Sequence, residues 1–237
     1  YSVEKNLKPT VAYLESLGVT NIGRVGTGPE DEDLTTILER AAAQGYKTGV
    51  VSTSSVTDAT PASFVAHVAN RGCENPSIIM GGERYGTYFD GCPSDASNNS
   101  GPGSIAEQIV ASPAHVVLGG GLKHFDMPVY DSEQTVLERA RAAGMAVATN
   151  LDELFAADKD QRLLGLFAKS HLPVRLQGTD GRKAEKPDTS LLNAVDDRLG
   201  SVTLPEPMAC EPNPDYGDTP ALATLTEVAL DRLAPDN

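Results

Sequence analysis

Asp33-Leu-Thr-Thr-Ile-Leu-Glu-Arg-Ala-Ala-Ala-Gln-Gly45, followed two residues later by Thr48-Gly-Val-Val-Ser-Thr53, decides the fold. Leu34, Ile37, Leu38 and Ala41 share one face at helical spacing, with Asp33 placed to cap the helix and Gly45 to end it. The second run is short and apolar and reads as a buried strand. Outward from this pair the same rhythm recurs. Pro61 suits the first turn of a helix with Phe64, Val65 and Val68 on its apolar side. A helix is predicted over 104–111 and a buried strand over 115–118, leading into a tight Gly119-Gly120-Gly121 turn. An amphipathic helix over 132–143 ends at Gly144; strands follow at 145–148 and 163–167, with a short helix at 151–157 between them. Leu222, Leu225, Val228, Ala229 and Leu233 line one face of a last helix over 219–233. Short apolar strands alternating with helices predict an α/β fold, a mostly parallel central sheet with helices on both faces.

Other stretches break that rhythm. Residues 72–103 are rich in Gly, Asn, Ser and Asp and have room for one short strand, at 77–80. Residues 170–218, rich in Pro, Asp and Gly, read as loops or an inserted surface subdomain within a single domain spanning 1–237. Near the start, Val11, Leu14 and Leu17 have helical spacing that Gly18 would stop, and 23–29 read as a loop.

The bulk numbers narrow the function. Thirty-three acidic against nineteen basic residues give a net charge of −14, which disfavours nucleic acid and anionic membranes as partners. That balance suits a secreted or salt-adapted protein, or simply a soluble one. No run of eighteen apolar residues is present to span a bilayer. The first ten residues lack the pattern of a signal peptide; a mature form with its signal removed would read the same. Cys73 and Cys92 flank a Gly/Tyr/Asp-rich loop and could close it as a disulfide; three free thiols, with Cys210 the third, is the alternative.

The chemistry concentrates just after the strand at 48–53. Thr57, Asp58 and Thr60 fall at the carboxyl edge of a parallel sheet, where sites in open α/β folds gather. Asp58 and Thr60 are hard oxygen donors of the kind Mg²⁺ takes, or else helix caps. Arg71 could grip a phosphate with both arms of its fork, or be an ordinary surface arginine. His67 reads as structural.

Taken together, Thr57-Asp-Ala-Thr-Pro-Ala62, Val65-Ala-His67-Val and Asn70-Arg71-Gly-Cys73 resemble the central signature of the alkaline phosphatase family. The likeness continues through Gly103-Ser-Ile-Ala-Glu-Gln108, His115-Val-Val-Leu-Gly-Gly-Gly-Leu-Lys-His-Phe125, Leu164-Gly-Leu-Phe167, Leu172-Pro-Val-Arg175, Pro212-Asn-Pro214 and Pro220-x-Leu-Ala, in order, over about 33–235. The resemblance implies phosphomonoester hydrolysis through a phosphoserine on a Zn²⁺/Mg²⁺ site, in a secreted or periplasmic protein. It implies that Asp58 holds a water on Mg²⁺, Thr60 coordinates Mg²⁺ directly, Arg71 clamps the phosphate, and Cys73 pairs with Cys92. The family's nucleophile, in an Asp-Ser-Ala stretch, has no match upstream of the Asp33 helix; Ser2 and Ser16 have other neighbours. The family's zinc ligands also have no counterpart here, and its partner for Cys210 lies further downstream. This reading therefore expects phosphate or a phosphomonoester as ligand and the remainder of the enzyme, or a homodimer, as partner. The alternative is a noncatalytic scaffold that binds Mg²⁺ or phosphate.

Overall fold

The computed structural model describes residues 23–28, 30, 32–84, 86–182, 187–196 and 198–234. The helix expected around Val11, Leu14 and Leu17 lies outside the described residues. Helix α1, Ile37–Ala43, starts later than its spacing suggests. Thr36 and Glu39 form a reciprocal capping box, the Glu39 amide donating to Thr36 and the Thr36 amide to Glu39. That satisfies two orphan N–H groups at once and fixes the helix start. Asp33, the expected cap, pairs instead with Thr27 in an isolated antiparallel bridge, leaving Leu34 exposed. Gly45, with φ +84°, follows the helix end in the left-handed conformation that glycine adopts without strain.

Strand β1 runs Gly49–Ser55, and α2 is a single turn, Ala59–Ala62. The longer helix expected from Pro61 through Val68 does not form. Tertiary hydrogen bonds take the backbone after Ala62. Val68 exchanges N–H···O bonds with Val25 at 3.0 and 2.9 Å, and the Gln108 side chain pairs with both the N–H and the C=O of His67 at 2.8 Å. The strand expected at 77–80 is also absent. Asn75 accepts from the Ser77 amide and opens a series of turns. The strands of this region are β2, Gly82–Arg84, and β3, Thr87–Phe89, an antiparallel pair.

The remaining elements keep the predicted rhythm: α3 (Ile105–Ala111), β4 (Val116–Gly120), the one-turn α4 (Leu122–Phe125), α5 (Val136–Ala142), β5 (Ala146–Ala148), α6 (Leu151–Ala156) and β6 (Leu163–Leu166). Capping boxes at Ser104/Glu107 and Thr135/Glu138 set the starts of α3 and α5. The triple-glycine segment is not all turn: Gly119 and Gly120 complete β4, and only Gly121 leaves it.

Strands β1, β4, β6 and β5 stand in that order, all parallel, as a four-stranded sheet among the described residues. Successive side chains point to opposite faces, so each strand feeds two core halves. Val50, Val117 and Leu164 join Ile105, Ile109, Leu137 and Ala140 on one face. Val116, Leu118 and Leu163 join Leu154, Leu225 and Ala229 on the other. The last two belong to α7 (Leu222–Leu233), which packs on β1 and β4. This is the expected α/β architecture with a parallel sheet covered on both faces.

Contacts divide the chain into two compact units. One takes the described residues up to Leu172 and from Thr219 onward; the other is Pro173–Asp218. The second is built on short antiparallel pairs: β7 (Leu176–Gly178) with β10 (Cys210–Pro212), and β8 (Asp188–Thr189) with β9 (Val202–Thr203). It exposes Leu191, Val195, Leu199 and Leu204, and carries Cys210 as an exposed free thiol.

Candidate phosphate-binding pocket

Parallel strands bring their carboxyl ends to one edge, and in this sheet β1, β4 and β6 end together there. The register of β1 on β4 shifts between Val51 and Ser55, a bulge that re-aims the last residues of β1. Three glycines of β4 and its exit make the approach possible. A Cβ on Gly119 would meet the Ser54 carbonyl at 2.9 Å. One on Gly120 would collide with the Ser170 carbonyl, and one on Gly121 with the Ser55 hydroxyl. Without side chains there, Ser55 and the segment after β6 close on the end of β4.

Asp58 stands at the N-cap position of α2, yet its side chain makes no capping hydrogen bond. Its carboxylate faces two other groups: Oδ1 is 3.5 Å from Arg71 Nη2, and Oδ2 is 3.6 Å from His171 Nδ1. Arg71 lies not on a helix but on a turn. Its amide donates to the Gly23 carbonyl at 2.6 Å, and the Asn70 side chain caps the next amide at 2.9 Å. Two residues on, buried Cys73 is disulfide-bonded to buried Cys92. The Arg71 side chain is 55% exposed.

These groups surround a cavity of about 380 Å³ whose walls include Ser55, Asp58, Arg71, Lys123, His124 and His171. Lys123, exposed, follows the glycine turn. His124 is buried, 2.6 Å from Glu74 through Nε2 and 2.9 Å from the Asn75 amide through Nδ1. The Asn75 oxygen is taken by the Ser77 amide and hydroxyl, so its NH₂ faces the ring. His124 Nδ1 therefore accepts, and its proton sits on Nε2, toward Glu74.

The structure thus brings Asp58 and Arg71 together and joins Cys73 to Cys92. Thr60 is exposed on α2 and is not part of the pocket wall. His67 lies elsewhere, buried, with Nδ1 2.7 Å from the Gly26 carbonyl and Nε2 3.0 Å from Glu39. Sequence reasoning missed Lys123 and His171. The available signal was position, since both follow the carboxyl ends of predicted strands.

Asp58 and Thr60 supply oxygen donors of the type Mg²⁺ prefers, but only Asp58 reaches the pocket, and Arg71 and His171 already flank it. Among the described residues no three His, Cys, Asp or Glu side chains converge as a metal set. Zn²⁺ requires such a set, so the residues described here do not by themselves fit it.

A family model described as alkaline phosphatase matches residues 10–237. The chain is similar to streptomycin-6-phosphate phosphatase of Streptomyces griseus, 37% identical over 98% of this chain and 49% of that protein. It is similar to the alkaline phosphatase of Escherichia coli, 36% identical over 92% of this chain and 43% of the relative. The solved structure of Thermus thermophilus alkaline phosphatase superposes with a TM-score of 0.53 over 89% of this chain and 31% of that one, at 23% identity, a likeness of fold alone. The chain spans less than half the length of each of these relatives.

Proposed function

Because the chain belongs to the alkaline phosphatase family, we propose that it supplies the phosphate-holding part of a phosphomonoesterase. The observation that carries this reading is Arg71 beside Asp58 at the wall of the pocket, 3.5 Å apart. A guanidinium presents paired N–H donors that match two oxygens of a phosphoryl group. Asp58 orients that fork without locking it, because the contact is long and the side chain is exposed. Lys123, in the same wall, adds a second positive charge. Together they gather a dianionic ester against a chain of net charge −14, which would otherwise repel it.

The finer reading is a phosphoserine intermediate on a Zn²⁺/Mg²⁺ site. Family membership supports it, and within this chain Asp58 and Thr60 are its candidate Mg²⁺ donors. Metal there would offset charge on the transferring phosphoryl group; the chain's own residues bind and orient the ester. We also place the protein in a secreted or periplasmic compartment, because a buried disulfide persists where thiols are oxidised.

Arg71→Ala in the full-length protein tests the reading. Loss of a charge-assisted bidentate contact should lower kcat/KM for p-nitrophenyl phosphate by about 10- to 100-fold and weaken inhibition by inorganic phosphate similarly. Unchanged phosphate inhibition would overturn the assignment.

A further inference from the structure

We propose that His171 is a second phosphate-contacting residue of this pocket, a neutral imidazole donating from Nε2 to an oxygen of the group that Arg71 grips. The proposal rests on the phosphomonoesterase reading above and adds to it a residue in none of the sequence motifs.

The protonation state follows from one hydrogen bond. The Ser55 backbone amide lies 3.0 Å from His171 Nδ1. A backbone N–H can only donate, so Nδ1 accepts and carries no proton. The ring is then neutral, with its single N–H at Nε2. Asp58 Oδ2 lies 3.6 Å from the same Nδ1, beyond hydrogen-bond range. Both atoms are acceptors, so the approach is not an ion pair, and the shorter contact with Ser55 sets the tautomer.

Nε2 has no partner among the described residues, and the side chain is 59% exposed in the pocket wall. The donor is therefore open to a ligand. The placement favours the ligand held by Arg71: guanidinium and imidazole flank the two oxygens of one carboxylate. Both also line the same pocket, so an anion gripped by the first is held in the cavity that the second borders.

The ring's position is built into the fold. The Leu172 amide donates to the Thr53 carbonyl at 2.8 Å, tying the residue after His171 to β1. The amides of Gly121 and Leu122 both donate to the Ala168 carbonyl at 3.0 Å. Between these ties, Gly120 leaves room for the Ser170 carbonyl where any Cβ would collide. The segment 168–172 is clamped to β1 and to the exit of β4, and His171 is carried to the pocket with it.

The test compares His171→Ala, His171→Gln and Arg71→Ala in the full-length protein, reading Ki for inorganic phosphate and kcat and KM for p-nitrophenyl phosphate. Loss of one neutral donor should raise Ki in His171→Ala by about 3- to 10-fold. His171→Gln, whose amide can still donate, should recover at least half of that. An unchanged Ki in His171→Ala alongside a raised Ki in Arg71→Ala overturns this inference and leaves the pocket reading standing. An unchanged Ki in both removes the pocket reading as well. A rise that Gln does not recover assigns the ring a packing role and also overturns the proposal. Should His171→Ala fail to fold, nitrogen-15 shifts of the ring in histidine-labelled protein decide instead. An Nε2–H tautomer whose signal moves on adding phosphate supports the proposal; an Nδ1–H tautomer or a static signal refutes it.

Discussion

Asp58 occupies a capping position without capping, its oxygens turned toward Arg71 and His171. A side chain that caps a helix contributes about 1 kcal/mol. Asp58→Ala should therefore leave the unfolding free energy within about 0.5 kcal/mol of the parent, as for an ordinary surface change. Urea denaturation near neutral pH checks this, and a loss of a full cap's worth would return Asp58 to a structural role. Asp58 and Arg71 were legible in the sequence because each sits in a contiguous run of matching residues. His171 was not, because its partner Ser55 is 116 residues away and no local pattern links them. Thr60, two residues from Asp58, is exposed on α2 and outside the pocket wall, and its role as a Mg²⁺ donor belongs to the proposed function.

Among the elements, the strands of the parallel sheet were read well; the segment after Pro61 and the strand expected at 77–80 were not. Phe64, Val65 and Val68 have helical spacing, yet Phe64 is 42% exposed while Val68 is buried against Val25. Partners from distant parts of the chain, Val25 and Gln108, outcompete the local propensity, and one sequence window contains neither. The same rearrangement creates a clasp between this segment and α1. Both ring nitrogens of His67 face oxygen acceptors, Gly26 O and Glu39 Oε1. Burial works against a charged ring, but those two acceptors outweigh it and raise the His67 pKa above its ordinary 6.5, with Asp33 adding to the effect. Burial likewise opposes charge on Glu39, and hydrogen bonds from His67 and Thr36 outweigh it, so its pKa falls below the ordinary 4.5. The raised histidine stabilises the fold fully below 6.5, and that contribution is lost as pH rises through its folded value. The depressed glutamate stabilises above 4.5, a contribution lost as pH falls through its folded value. The His67–Glu39 pair contributes to both shifts, so its full effect lies between 4.5 and 6.5. Unfolding free energy measured at about pH 5.5 and about pH 8 should fall toward the higher pH, and His67→Gln should flatten that difference. An identical slope in the variant would mean that another group sets it. At the exit of β4, Gly120→Ala should displace the segment that carries His171, since the new methyl would collide with the Ser170 carbonyl. The expected result is a loss of about 1–3 kcal/mol of stability together with weaker phosphate inhibition, read by urea denaturation and steady-state kinetics.

At the scale of the whole molecule, the alternation of short apolar strands with capped helices was enough to fix a parallel sheet, because each strand feeds both core halves and must be apolar throughout. The unit Pro173–Asp218 left no such trace; its strands are two or three residues long, too short to show a period. The pocket depends on the molecule being closed at one further place, the Cys73–Cys92 bond, which links residues 19 apart in a stretch with little regular structure. Closing a loop of this size stabilises a fold by about 3 kcal/mol, mainly by limiting the unfolded chain. Both cysteines are buried in the first core half, so replacing them with alanine removes the crosslink while keeping an apolar interior. Cys73→Ala/Cys92→Ala should therefore lower the unfolding free energy by about 3 kcal/mol, and a reductant should do the same to the parent protein. Because Arg71 sits two residues before the crosslink, on a turn with no helix to hold it, the double variant should also bind inorganic phosphate less tightly under conditions where it is still folded. Full stability and full phosphate inhibition after reduction would show that packing around Cys73 and Cys92, rather than the covalent bond, holds the arginine in place.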